Sequence, residues 1–128
     1  MKLKLKLSSI RFMILAFFLP LFFANLEAGF FNTGTMHTRH LILSTKGTLD
    51  NSGKLIGTES ASISCDNLSG KGLISSPQIS INTNVFNYTG TIECSGKCTI
   101  VVNNSFDANM FKRQGGGEFI IIKNAPSH

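Results

Sequence analysis

His37 and His40, which flank Thr38-Arg39, are the closest pair of imidazoles in this 128-residue chain. With no carboxylate or cysteine beside them, they fall short of the three or four ligands a structural or catalytic metal takes. They read as surface residues, and no metal or cofactor is expected. Acid–base catalysis needs carboxylates brought together, but Asp50, Glu59, Asp66, Glu93, Asp107 and Glu118 are dispersed along the sequence. Asp50 and Asp107 moreover fall in a recurring phrase where a turn role explains them. Gly115-Gly116-Gly117 is followed by no Lys-Ser/Thr pair and by no expected helix, so it reads as a flexible turn before a last strand rather than a phosphate loop. No catalytic constellation is expected, and the chain reads as a non-enzyme.

The three cysteines are Cys65, Cys94 and Cys98. Cys94-Ser95-Gly96-Lys97-Cys98 is a close pair, which in an exported protein is expected to close a tight disulfide loop; two free thiols are the alternative. Cys65 does not match either partner in repeat position. It reads as a buried small apolar residue, with intermolecular coupling as the alternative.

The first twenty-eight residues pose a separate problem. Lys2, Lys4, Lys6 and Arg11 make a basic start, Phe12 to Phe23 an apolar run broken by Pro20, and Leu26-Glu27-Ala28 ends on a small residue. This is the layout of a secretory signal peptide, with cleavage expected after Ala28. About twelve apolar residues are too few to span a bilayer that takes about twenty, so no transmembrane segment is expected after cleavage. The expected division is 1–28 signal peptide, 29–124 repeat domain and 125–128 tail. The formal charge of +5 belongs mostly to the leader: from Gly29 on, eight basic side chains face six acidic ones, a net of +2. Lys112-Arg113 is the only adjacent basic pair there, so a nucleic-acid partner is not expected.

What must position all these residues is a repeat. The phrase appears as Phe30-Phe31-Asn32-Thr33-Gly34-Thr35-Met36, Leu49-Asp50-Asn51-Ser52-Gly53-Lys54-Leu55, Leu68-Ser69-Gly70-Lys71-Gly72-Leu73-Ile74 and Phe86-Asn87-Tyr88-Thr89-Gly90-Thr91-Ile92, then in worn form from Phe106 to Phe111. Gly34, Gly53, Gly72 and Gly90 mark a column with Asn109 in fifth place, and these five are expected to be turn residues with positive φ. Large apolar residues recur two places after them (Met36, Leu55, Ile74, Ile92, Phe111) and four places before (Phe30, Leu49, Leu68, Phe86, with Phe106 displaced by one). Each phrase is followed by an alternating run: Leu41-Ile42-Leu43, Ala61 to Ser64, Ile79 to Asn82, Thr99 to Asn103 and Phe119 to Ile122. Period-two alternation is the mark of a half-buried strand. Short strands repeated near every nineteen residues cannot bury their own apolar side, but stacked copies bury a common one. The expected fold is all-β, a short parallel β-helix of about five rungs, about 24 Å tall at about 4.8 Å per rung. The Asn-x-Ser/Thr triplets at Asn67, Asn87 and Asn103 would be glycosylation acceptors only in a eukaryotic secretory route, and turn asparagines that stack in hydrogen-bonded ladders explain their recurrence equally well.

From Phe30 to Asn124 the phrases Leu49-Asp50-Asn51-Ser52-Gly53-Lys54-Leu55 and Phe86-Asn87-Tyr88-Thr89-Gly90-Thr91-Ile92 resemble the rungs of filamentous-haemagglutinin-type bacterial adhesins, whose repeats carry Leu-x-Asn-x-Gly-x-Ile before an alternating strand. The resemblance implies a right-handed parallel β-helix exposed at a bacterial surface and used for attachment to a host or cell-surface receptor. The expected role is structural or adhesive, with the chain secreted or on the outer cell surface, or else periplasmic. The alternative is a small secreted carbohydrate-binding module or polysaccharide-active enzyme on the same scaffold. Glu118-Phe119-Ile120-Ile121-Ile122 is apolar and β-prone, and as a last rung it is expected to self-associate or dock to a partner.

Overall fold

A computed structural model describes residues 2–5, 10–12, 19–26, 29–106 and 111–124, with side chains placed from Gly29 to Asn104 and from Phe111 to Asn124. The described residues form eleven strands and no helix: β1 (Lys2–Leu5), β2 (Ile10–Phe12), β3 (Leu19–Leu26), β4 (Gly29–Asn32), β5 (Thr35–Thr45), β6 (Thr48–Asn51), β7 (Lys54–Gly70), β8 (Leu73–Tyr88), β9 (Thr91–Phe106), β10 (Lys112–Gln114) and β11 (Glu118–Lys123). Every strand pairing is parallel. The long strands bend through corners, so β7 pairs with β5 along its first half and with β6 along its second. Five turns of a parallel β-solenoid result from β4 to β11. Beneath them, β3 pairs with β5 and β2 with β4, so the segment expected to be the leader continues the stack in the full chain.

The apolar columns expected from the repeat are in register. Met36, Leu55, Ile74 and Ile92 pair in sequence, as do Phe30, Leu49, Leu68, Phe86 and Phe106. The alternating runs supply two more columns, Leu41–Ala61–Ile79–Cys98–Phe119 and Leu43–Ile63–Ile81–Ile100–Ile121. The column side chains from Phe30 to Ile100 are buried, with Phe119 and Ile121 packed half-buried at the end. One turn alone would leave its apolar row in water; the stack removes it, at about 25 cal/mol per Å² of apolar surface covered.

The fifth turn departs from even spacing. Lys112 pairs with Thr91 and Arg113 with Ile92, a slip of two residues from the expected alignment. Phe111 rather than Asn109 therefore follows Gly90 in the glycine column, and Asn109 itself lies outside the described residues. The slip seats the buried Phe111 ring 5.3 Å from the Phe86 ring, edge to face. Arg113 takes the place of an apolar residue above Ile92, and its guanidinium lies over the rings of Phe111 (5.2 Å) and Phe119 (5.9 Å).

Candidate functional site

The glycine column is real, but its cause is not the expected one. Positive φ occurs among the described glycines only at Gly70, Gly115 and Gly116. Gly34, Gly53, Gly72 and Gly90 are not in that region. Gly53, Gly72 and Gly90 are held to glycine because successive turns touch there: a Cβ on Gly53 would sit 2.0 Å from the carbonyl oxygen of Gly34, one on Gly72 2.1 Å from that of Gly53, and one on Gly90 2.1 Å from that of Gly72. The close approach lets the next amide reach back. Lys54, Leu73, Thr91 and Lys112 each donate their N–H to the carbonyl of the column glycine one turn below, at 2.8 to 2.9 Å.

Beside this column runs a buried amide ladder. Asn32 Nδ2 donates to Asn51 Oδ1 at 2.9 Å, and Asn51 Nδ2 donates to the Leu73 carbonyl at 3.0 Å and to the Tyr88 hydroxyl at 3.2 Å. The place between Asn51 and Tyr88 belongs to Gly70, whose φ of +120° and closeness to the Asn51 backbone leave no room for a side chain. Tyr88 therefore reaches past it to close the ladder. Burial raises the Tyr88 phenol well above its ordinary range, against the Asn51 hydrogen bond, so the ladder holds a neutral hydroxyl. Every amide left unmet in this interior would cost about 1–3 kcal/mol, which is why the ladder is hydrogen-bonded throughout its middle.

The cysteines correct another expectation. All three are free thiols and all are buried, so the expected Cys94–Cys98 bridge is not formed. Cys98 points into the apolar column between Ile79 and Phe119, and Cys94 donates its thiol to the Pro77 carbonyl at 3.5 Å. Cys65 donates to Thr83 Oγ1 at 3.6 Å, the buried small residue expected. Burial pushes the Cys98 thiol up to about 12, helped by the neighbouring Cys94, and the Cys65 thiol up to about 11. An acid whose native pKa is raised holds its proton when the unfolded chain, with thiols near 9.0, has begun to lose it. The contribution of Cys65 and Cys98 to stability is thus expected to be level below pH 9 and to fall between pH 9 and 12, and alkylation at pH 8 without denaturant is expected to label none of the three quickly. Rapid labelling of Cys98 in the folded chain would contradict its burial.

His40, Asp50, Glu59, Asp66 and Glu93 are drawn into links between turns. Arg39 and Glu59 form an exposed ion pair, with His40 Nε2 3.8 Å from the same carboxylate oxygen and His40 Nδ1 2.9 Å from Ser60 Oγ. Asp50 accepts from Ser69, Asp66 from Asn84 and Glu93 from Ser75, each one turn away. Asn87 donates to Asn67, and Asn103 to Asn82 and Asn84, the stacked asparagines expected. Among the described residues no three of His, Cys, Asp and Glu come together to hold a metal. A shallow groove of about 250 Å³ crosses the alternating face, lined by Ser60, Ser62, Gln78, Ser80, Lys97 and Thr99. Sequence reasoning missed the Asn51–Tyr88 link and the Arg113 cover; the Asn32, Asn51, Gly70, Tyr88 succession, two before each column glycine, was the available signal for the first. No known protein family, no curated protein and no solved structure matches this chain.

Proposed function

We propose that this chain is an exported, non-enzymatic β-solenoid with a structural or adhesive role at the bacterial cell surface. The observation that supports this most is the use of its outward polar groups. Asp50, Asp66, Glu59 and Glu93 are each engaged by a neutral or cationic partner on the adjacent turn, which stiffens a rod. A catalytic acid–base pair would be brought together in a cleft, whereas each of these carboxylates is used in a link between neighbouring turns. The leader layout and the adhesin-like phrases supply the compartment and the attachment role in this reading.

The test is topological. The full chain, expressed with its own leader in a Gram-negative host, should be recovered beginning at Gly29, and externally added protease should remove it from intact cells. Recovery from the cytoplasm with Met1 in place would sink the export half of the proposal. The groove of serines, Gln78, Lys97 and Thr99 favours a second reading, a carbohydrate-binding module, because such groups hydrogen-bond polyols. Saturable binding to one soluble glycan, lost in Gln78→Ala, would favour it over the adhesive rod.

A further inference from the structure

A groove of about 430 Å³ crosses the corner where β7, β8 and β9 begin, lined chiefly by Ser52, Lys54, Lys71, Leu73, Thr91 and Gln114. It shares no residue with the groove of Ser60 and Gln78 on the alternating face. Lys54 follows Gly53 and Lys71 precedes Gly72, so the two lysines stand on adjacent turns beside the contact between those glycines. Among the described residues neither has a carboxylate within 4.0 Å, and no carboxylate lines the groove. Two acids lie near it in the strands, and both are engaged: Glu93, in register with Gln114, accepts from Ser75, and Asp50, two residues before Ser52, accepts from Ser69. Lys112 and Arg113, which precede Gln114 on β10, are exposed and add positive charge at the same corner. A concave surface of one sign concentrates ligands of the other.

The chemistry of the lining narrows the ligand. The amides of Ser52, Gly53, Lys54, Gly72, Leu73 and Thr91 already donate to carbonyls one turn below, so an extended peptide, which is held through main-chain hydrogen bonds, finds few donors here. No aromatic side chain lines the groove, so a nucleobase has no surface to stack on. The recognising groups are two ammoniums, two hydroxyls and one amide. A carboxylate or a sulfate ester carries one charge and would leave one lysine without a partner. A phosphate monoester carries about −1.5 to −2 at pH 7 and offers three acceptor oxygens, enough for both. The volume lies within the range of small-molecule sites, about 300–1,000 Å³, and hydroxyl and amide groups suit a polyol. We propose that this groove binds a phosphate monoester carried on a sugar, with Lys54 and Lys71 on the phosphate and Ser52, Thr91 and Gln114 hydrogen-bonding the remaining oxygens. The site goes beyond the proposed surface role and does not depend on export.

The test is calorimetric titration of the full chain at pH 7.5 with glucose 6-phosphate, glucose 6-sulfate, glucose and inorganic phosphate. Glucose 6-phosphate should bind saturably at one site per chain, about tenfold more tightly than the sulfate, because one charge-assisted contact is lost with the second charge. It should also bind more tightly than inorganic phosphate, and glucose alone should give no saturable heat. Lys54→Gln and Lys71→Gln should each weaken binding about tenfold with the β circular dichroism unchanged, whereas Lys46→Gln, exposed and outside the groove, should stay within about twofold of the parent. Lowering the pH to 5 takes the monoester through its second pKa of about 6 and should weaken its binding about tenfold. No histidine or carboxylate lines the groove, so glucose 6-sulfate, which keeps one charge throughout, should bind no more weakly at pH 5. No saturable binding of glucose 6-phosphate, equal affinity for the sulfate, tighter binding of inorganic phosphate, or a loss in Lys46→Gln as large as in Lys54→Gln would each overturn the proposal. None of these outcomes bears on whether the chain reaches the cell surface, which the protease test reads separately.

Discussion

Gly72→Ala should cost at least about 3 kcal/mol of stability, while Lys71→Ala next to it should change stability by no more than about 0.5 kcal/mol. The added methyl would lie 2.1 Å from the Gly53 carbonyl oxygen, a backbone atom held in place by the hydrogen bond from the Leu73 amide. Neither turn can retreat without opening the ladder, so the clash must be relieved by separating the rungs. Gly53→Val should be at least as damaging, with 2.0 Å to the Gly34 carbonyl. Asparagine separates the two explanations of the column. If positive φ were the requirement, Gly72→Asn would be mild, because asparagine tolerates that region; a close-contact column makes it as severe as alanine. Denaturant midpoints read with a common slope decide the matter. A Gly72→Ala midpoint indistinguishable from that of Lys71→Ala would remove the contact explanation.

Asn51→Leu should be the other severe change, at about 2–4 kcal/mol. Leucine matches the side-chain volume approximately but leaves Asn32 Nδ2 without its Asn51 acceptor and removes the donor to the Leu73 carbonyl and the Tyr88 hydroxyl, all in the interior. Tyr88→Phe removes one hydroxyl and should cost about 1 kcal/mol. Because both act on one network, the double variant should cost less than the sum of the two by at least about 0.5 kcal/mol. Additive losses would mean that the Asn51–Tyr88 hydrogen bond contributes nothing.

Much of this fold was legible because a stack repeats its own errors and successes. Leu49, Leu68 and Phe86 occupy the same place in three consecutive phrases and pair in the structure as their spacing implies. The inner columns from Leu41 to Phe119 and from Leu43 to Ile121 follow from alternation alone. Three things were not legible. A glycine forced by contact looks the same in sequence as one forced by φ, and only the neighbour's carbonyl distinguishes them. The slip of two residues at Arg113 depends on how the Phe111 ring fits Phe86, a matter of packing rather than pattern. The Cys94–Cys98 spacing fits a bridge equally well as two thiols, and in the stack the Cys98 side chain serves as one more member of an apolar column. The candidate site was less legible than the fold: dispersed carboxylates are visible as dispersed, but their hydrogen-bonded partners are eighteen to twenty residues away and appear only once the turns are stacked.

The separation between paired residues is not constant, and it changes only at the bends. It shifts between Thr38 and His40, between Ile56 and Ala61, between Ser76 and Gln78, and between Thr83 and Val85, while the stretches in between keep step. The bends therefore do the counting for the molecule. A codon gained or lost at Gly57 to Ser60 or at Pro77 would be absorbed locally, whereas the same change inside Ala61 to Cys65 would turn the lumen's wallpaper inside out from that point to the next bend. By the same logic, an in-frame copy of one period, such as the nineteen residues that separate Lys54 from Leu73, would lengthen the rod by about 4.8 Å, losing the Asn51–Tyr88 hydrogen bond because a second Gly70 would come between them.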